Sequence, residues 1–194
     1  DIGCGSGLNL KFWESKNLRL YGIDISHKAL KLSKKVVQNA NVSVADGQNL
    51  PFNDETFDII TALGVIEHFP EPKKGFEEVY RLLKPNGKAC IVLPNSFGSL
   101  GKIIGFHGTE QEQELMLTLD EWKLLLQSTG FEVKRVLRDR GPKIFKNWKI
   151  HKIIARFLLR LTLFLPKKYA YVFIFHVEKN GNKSPSHSNG ISSQ

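Results

Sequence analysis

The chain has 194 residues, 41% of them hydrophobic, which is enough to bury one core and too little for several domains. Its 28 Lys and Arg outnumber 19 Asp and Glu, giving a net charge of +9. Two cysteines, Cys4 and Cys90, lack the spacing of a disulfide framework or a metal site, so a disulfide scaffold is excluded and a reducing compartment is expected.

Residues 1–7 read Asp-Ile-Gly-Cys-Gly-Ser-Gly, a D-x-G-x-G-x-G turn of the kind that follows a buried parallel strand and opens a helix. Glycines at 3, 5 and 7 permit sharp bends and the approach of a ligand with no Cβ in the way. The strand that should precede the turn is almost wholly outside the sequence, and the only methionine is Met116, so the chain is expected to be a fragment that opens inside its own site loop; a signal sequence cannot be judged. Taken alone, such a loop is also a tight turn that holds nothing.

The next elements add chemistry to it. Residues 18–26, Leu-Arg-Leu-Tyr-Gly-Ile-Asp-Ile-Ser, alternate as a second strand and end in Asp24, a carboxylate at the distance suited to both hydroxyls of a ribose. Ser26 should cap a helix reaching about Gln38. A short strand over 41–45 ends in Asp46-Gly47, where an acid suits an adenine amino group, and residues 57–63 form the next strand. A dehydrogenase fingerprint, G-x-G-x-x-G, needs a glycine at position 8, where Leu8 stands. Further along, a helix is expected over 72–83 and a strand over 88–93 after the turn Pro85-Asn86-Gly87. Thr118 with Glu121 forms a capping box for a helix ending at Gly130, followed by a strand over 131–138 and a last, aromatic-rich strand over 169–177.

In this order, DIGCGSG, GIDIS, ADGQNLPF, FDIITALGVIEHF and LLKPNGKACIVLPN resemble the class I S-adenosylmethionine-dependent methyltransferases, within them the small-molecule group that includes the ubiquinone and menaquinone C-methyltransferases. The likeness runs over residues 1–138 and resumes near Tyr169. It implies an α/β, Rossmann-like, doubly wound and mostly parallel sheet, with the first strand largely missing, an antiparallel last strand and an insertion before that strand. It implies S-adenosylmethionine as cofactor, held by Asp1, Gly3, Cys4, Gly5, Gly7, Asp24, Ile25, Asp46, Gly47 and Leu63, and a small-molecule or lipid-linked methyl acceptor. The implied domain is 1–179, with a polar, disordered tail over 180–194. Retention of the loop glycines and of the acids at 1, 24 and 46 speaks against a binding module that kept the fold and lost transfer.

Residues 140–168 hold nine basic residues (Arg140, Lys143, Lys146, Lys149, Lys152, Arg156, Arg160, Lys167, Lys168) and no acid, which equals the chain's whole excess of charge. Ile150, Ile153, Ile154, Phe157, Leu158, Leu161, Phe164 and Leu165 recur at helical spacing with the cations on the other side, a basic amphipathic helix. Its apolar runs are shorter than the ~20 residues of a span, so it suits the surface of an anionic bilayer, with Trp148 and Lys167-Lys168 as interface residues. It equally suits a lid packed on the catalytic domain or on a second subunit. The placement expected is cytoplasmic, with peripheral contact at the inner membrane face through 143–168. Its aromatic residues lie mostly with the apolar face and not among the cations, so a platform for stacking nucleic-acid bases is not evident, and an RNA methyltransferase is kept only as an alternative reading.

His68 in Gly64-Val65-Ile66-Glu67-His68-Phe69 is the candidate catalytic base, and is equally read as a cap of the next helix or a pocket wall. Small-RNA terminal methyltransferases and some quinone-precursor O-methyltransferases carry E-x-x-E-H at this point as metal ligands. Gly64 replaces the first acid here, which leaves Glu67 and His68 short of a ligand set, and no metal is expected. His107, in a Gly- and Ser-rich stretch over 95–109, is a candidate substrate-loop residue.

Overall fold

The computed structural model describes residues 1–96, 114–139 and 166–181. The glycine-rich loop leads into α1 (Leu8–Trp13), followed by β1 (Leu20–Asp24), α2 (His27–Val36), β2 (Ala40–Val44) and β3 (Phe57–Leu63). A 3-10 turn (Ile66–His68) then precedes α3 (Pro72–Leu82), β4 (Leu83–Pro94), α4 (Leu119–Ser128), β5 (Phe131–Arg138) and β6 (Val172–Lys179). The local reasons are those in the sequence. Ser26 Oγ accepts the Ala29 N–H at 3.2 Å to start α2, Pro72 occupies the first turn of α3, and Thr118 with Glu121 closes a complete capping box on α4.

β1 pairs parallel with β2, and β3 pairs parallel with β4. β6 lies between β4 and β5 and runs antiparallel to both. Ile2 bridges in parallel to Ile23 of β1 on one side and to Ala62 of β3 on the other. It thereby joins the two blocks in the order β2-β1-Ile2-β3-β4-β6-β5. This is the expected doubly wound, mostly parallel sheet with an antiparallel final strand.

Side chains of β1 alternate between two buried clusters. Leu20 faces Cys4, Leu10, Leu30 and Val37, whereas Ile23 joins the larger cluster built on Phe76, Trp122, Phe173 and Phe175. A strand sends successive side chains to opposite faces, so the sheet is covered on both. Arg81 on α3 fixes the crossing from β2 to β3. Its guanidinium forks onto Glu78 at 2.7 and 2.8 Å and donates to the carbonyls of Phe52 and Leu50 at 2.8 and 3.2 Å.

Two boundaries differ from those expected. The last strand begins at Val172, because Lys167–Tyr169 form a 3-10 turn and the Lys168 and Ala170 carbonyls are taken by the Asn95 side chain at 2.8 and 2.6 Å, not by a neighbouring strand. β4 starts at Leu83, where a single pairing with Phe57 precedes the Pro-Asn-Gly turn and regular pairing begins at Lys88. Among the described residues, no helix is long and apolar enough to cross a membrane. His107, residues 143–165 of the basic segment and most of the tail lie outside the described residues.

Trp122 is fully buried, meets Phe76 edge-to-face at 6.2 Å and donates its indole N–H to the Pro94 carbonyl at 2.7 Å. Trp122→Ala should cost roughly 3–5 kcal/mol in urea unfolding, because it opens a cavity and leaves that carbonyl without its donor. Leu124→Ala, on the exposed side of the same helix, should stay within about 0.5 kcal/mol.

Candidate functional site

The three loop glycines all have left-handed backbones, with φ of +67° at Gly3, +52° at Gly5 and +80° at Gly7. They differ in what a Cβ would meet. At Gly3 it would lie 2.5 Å from Val65 Cγ2, and at Gly7 it would collide with Ser33 Oγ, so these two glycines let the loop pack against the chain beyond β3 and against α2. At Gly5 a Cβ would meet nothing within 4 Å. The open side of the loop is therefore at Gly5.

Beside that opening, Asp24 at the end of β1 is held by two backbone amides. Gly5 N–H donates to its Oδ2 and Ser26 N–H to its Oδ1, both at 2.8 Å. Each oxygen keeps a second lone pair for a hydroxyl donor. Ile25, just past β1, is 75% exposed and Leu63, the last residue of β3, 41%, so both strand ends present bare apolar surface. Asp46 is exposed beyond the end of β2 and accepts the Gln48 N–H at 2.9 Å, while Gly47 is buried where a Cβ would collide with Phe69. A carboxylate set for a diol, apolar side chains for a flat base and a gap for close backbone approach suit an adenosyl ligand.

Asp1 and Cys4 serve the loop in other ways. Thr61 Oγ1 donates to Asp1 Oδ1 at 2.6 Å and accepts from Asn9 Nδ2 at 3.0 Å, which ties the loop to β3 and to α1. Cys4 is buried beneath the loop among Leu10, Leu20, Leu30 and Val37, and burial, then the Asp24 carboxylate, push its thiol above the ordinary range.

A second group gathers just past β3. Glu67 and His68 lie in the 3-10 turn and Glu114 arrives from the segment before α4, each offering a ligand atom within 4.8 Å of the others. Glu67 is 5% exposed, and burial pushes its carboxyl up to about 7, with Glu114 adding to the rise and His68 opposing it. His68 does not cap α3, whose N-cap is Glu71, which corrects one of its three readings. Sequence reasoning missed Thr61, Val65, Gly22 and Glu114. Only Gly22, a glycine inside a strand, carried a signal of close approach.

A family model described as a methyltransferase domain matches residues 1–91. The chain is 30% identical to the ubiquinone/menaquinone biosynthesis C-methyltransferase UbiE of Rickettsia felis, over 68% of the chain and 67% of that protein. It is also 30% identical to a chloroplastic 2-methyl-6-phytyl-1,4-hydroquinone methyltransferase of rice over 79% of the chain, and spans 46% of the rice protein's length. An S-adenosylmethionine-dependent methyltransferase from Mesorhizobium loti shares the fold with a TM-score of 0.69 at 15% identity, covering 92% of this chain and 89% of the other. A doubly wound sheet with this loop and these carboxylates defines a class I S-adenosylmethionine-dependent methyltransferase fold. The chain belongs to the small-molecule group of that family, in which UbiE also falls.

Gly22 carries the loop from below, since a Cβ there would lie 2.6 Å from Leu10 Cδ1 and 2.9 Å from Cys4 Sγ. Gly22→Ala should cost about 1–3 kcal/mol through overpacking. Limited proteolysis should show earlier cleavage near Gly5 in that variant than in the parent chain.

Proposed function

We propose that this protein transfers a methyl group from S-adenosylmethionine to a small, lipid-linked acceptor of the hydroquinone kind. The observation that carries the cofactor half is the Asp24 carboxylate, clamped by the Gly5 and Ser26 amides beside the one loop glycine that opens to space. When bound, the cofactor supplies an activated methyl group, so the protein's task is alignment, exclusion of water and removal of at most one proton. Asp24 takes the ribose hydroxyls, and Asp46 the amino edge of the base. Ile25 and Leu63 cover the base, which accounts for apolar side chains left exposed at two strand ends.

The acceptor half is supported by two relatives, a ubiquinone/menaquinone biosynthesis C-methyltransferase and a 2-methyl-6-phytyl-1,4-hydroquinone methyltransferase, whose acceptors are of the quinone type. Such acceptors carry long apolar tails. The basic amphipathic pattern of residues 143–168 suits a protein that collects them from an anionic membrane surface. His68, half-buried in the 3-10 turn after β3, is the candidate to face that acceptor.

Calorimetric titration of S-adenosylmethionine into the chain extended upstream of Asp1 tests the reading. Micromolar binding should weaken on the order of 10- to 100-fold in Asp24→Asn, the loss of a charged acceptor for two hydroxyls. A folded protein that binds neither S-adenosylmethionine nor S-adenosylhomocysteine would overturn it.

A further inference from the structure

We propose that Glu67, His68 and Glu114 form a binding site for a divalent first-row cation of the Mn2+ or Zn2+ kind, on the acceptor side of the cofactor loop. Three donors of a type these ions accept, two carboxylate oxygens and an imidazole nitrogen, lie within 4.8 Å of one another. Donors around such an ion, at about 2.1 Å from it, are roughly 3 to 4 Å apart, so a small change of rotamer closes the set. His68 Nε2 already lies 3.9 Å from Glu67 Oε1.

A second observation points to a ligand. Glu67 Oε2 is buried and has no hydrogen-bond partner among the described residues, in a side chain that is only 5% exposed. Buried carboxylate oxygens without partners are costly, and a second carboxylate beside one raises that cost. A divalent cation offsets both at once. Nor is the third donor a loose surface acid. Leu115 N–H donates to the Glu67 carbonyl at 2.7 Å, and Ser96 N–H to the Leu117 carbonyl at 3.1 Å, so the backbone beside Glu114 is tied to the 3-10 turn and to the end of β4. Glu114 thus supplies what Gly64 removed from the sequence pattern. Gly64 keeps the room, since a Cβ there would meet only Glu67 Oε1, at 3.6 Å.

The site adjoins the cofactor loop through Val65, which packs under Gly3. Three protein donors leave coordination positions open, and an oxygen of the methyl acceptor is the natural occupant. His68 is then a ligand, and the cation polarises the acceptor oxygen in its place. This acceptor role rests on the methyl-transfer reading, whereas the cation site does not.

Titration of Mn2+ into the chain, followed by the loss of the free-ion electron paramagnetic resonance signal with no cofactor present, tests the site. One Mn2+ per chain should bind, Zn2+ should displace it, and Glu67→Gln and Glu114→Gln should each weaken binding at least about tenfold. Glu77→Gln, on the exposed face of α3, should change nothing. Glu114 is half-buried and holds no core position, so its variant remains readable should Glu67→Gln disturb the fold. Asp24→Asn should leave Mn2+ binding intact while S-adenosylmethionine binding falls, which separates failure of this site from failure of the cofactor reading. Absence of Mn2+ binding to the folded chain, or binding that survives both glutamate substitutions, overturns the proposal.

Discussion

Everything at the candidate site depends on Ile2 lying between β1 and β3. Among the described residues β1 pairs with β2 and β3 with β4, and the two blocks meet through this one bridge. Ile2 N–H donates to the Thr61 carbonyl at 2.8 Å, Ile23 N–H to the Asp1 carbonyl at 3.0 Å and Cys4 N–H to the Ile23 carbonyl at 2.9 Å. These bonds fix where the loop leaves the sheet, and hence where Gly5 meets Asp24. A strand order that reverses at this point opens a crevice at the carboxyl ends of the strands. The chemistry lies at that crevice because backbone pairing runs out there, leaving amides and carboxylates to be satisfied by one another or by a ligand.

Two acids at the crevice are solved in opposite ways, and the difference sorts their roles. Asp24 is partly open and accepts two amide hydrogens, an arrangement that leaves lone pairs for neutral hydroxyls. Glu67 is buried, keeps an oxygen with no donor among the described residues and has a second carboxylate beside it. Hydroxyl donors would satisfy its geometry and not its charge. An acid kept in that state is balanced by a proton or a cation, and the imidazole alongside makes the set a better match to a metal than to a sugar.

Much of this was legible in the sequence. The caps at Ser26 and Thr118, the prolines and glycines that punctuate the elements, and the alternation in 18–26 and 131–138 are local signals, and they placed the helices and strands to within a few residues. The loop and Asp24 were legible because their spacing is itself the geometry. What the sequence could not separate was the three glycines. All need a left-handed backbone, yet only the packing of Val65, Ser33 and Val37 shows that two of them make room for protein while the third, Gly5, faces open space. Glu114 was invisible for the same reason, since it lies 47 positions beyond Glu67 and reaches it only through the fold. The 169–177 boundary failed because aromatic, β-branched composition reads as strand, whereas the carbonyls there are spent on the Asn95 amide.

Asn95 also explains how distant segments bear on the acceptor side. It is fully buried at the end of β4, its N–H donates to the Tyr171 carbonyl at 3.1 Å, and it bridges in parallel to Leu117. One residue therefore pins both the approach to β6 and the backbone that carries Glu114. Loss of its side-chain amide would strand the Lys168 and Ala170 carbonyls, at roughly 1–3 kcal/mol for each one left buried and unpaired. The basic segment re-enters the described fold at Pro166, two residues before the first of those carbonyls. The same segment leaves the described fold at Asp139, whose N–H donates to the Val172 carbonyl at 3.1 Å, and on the Pro166 side Asn95 is paired onward to the backbone of Leu117. Asn95 therefore ties the approach to β6 to the backbone that carries Glu114, while the cofactor loop is anchored separately by Ile2.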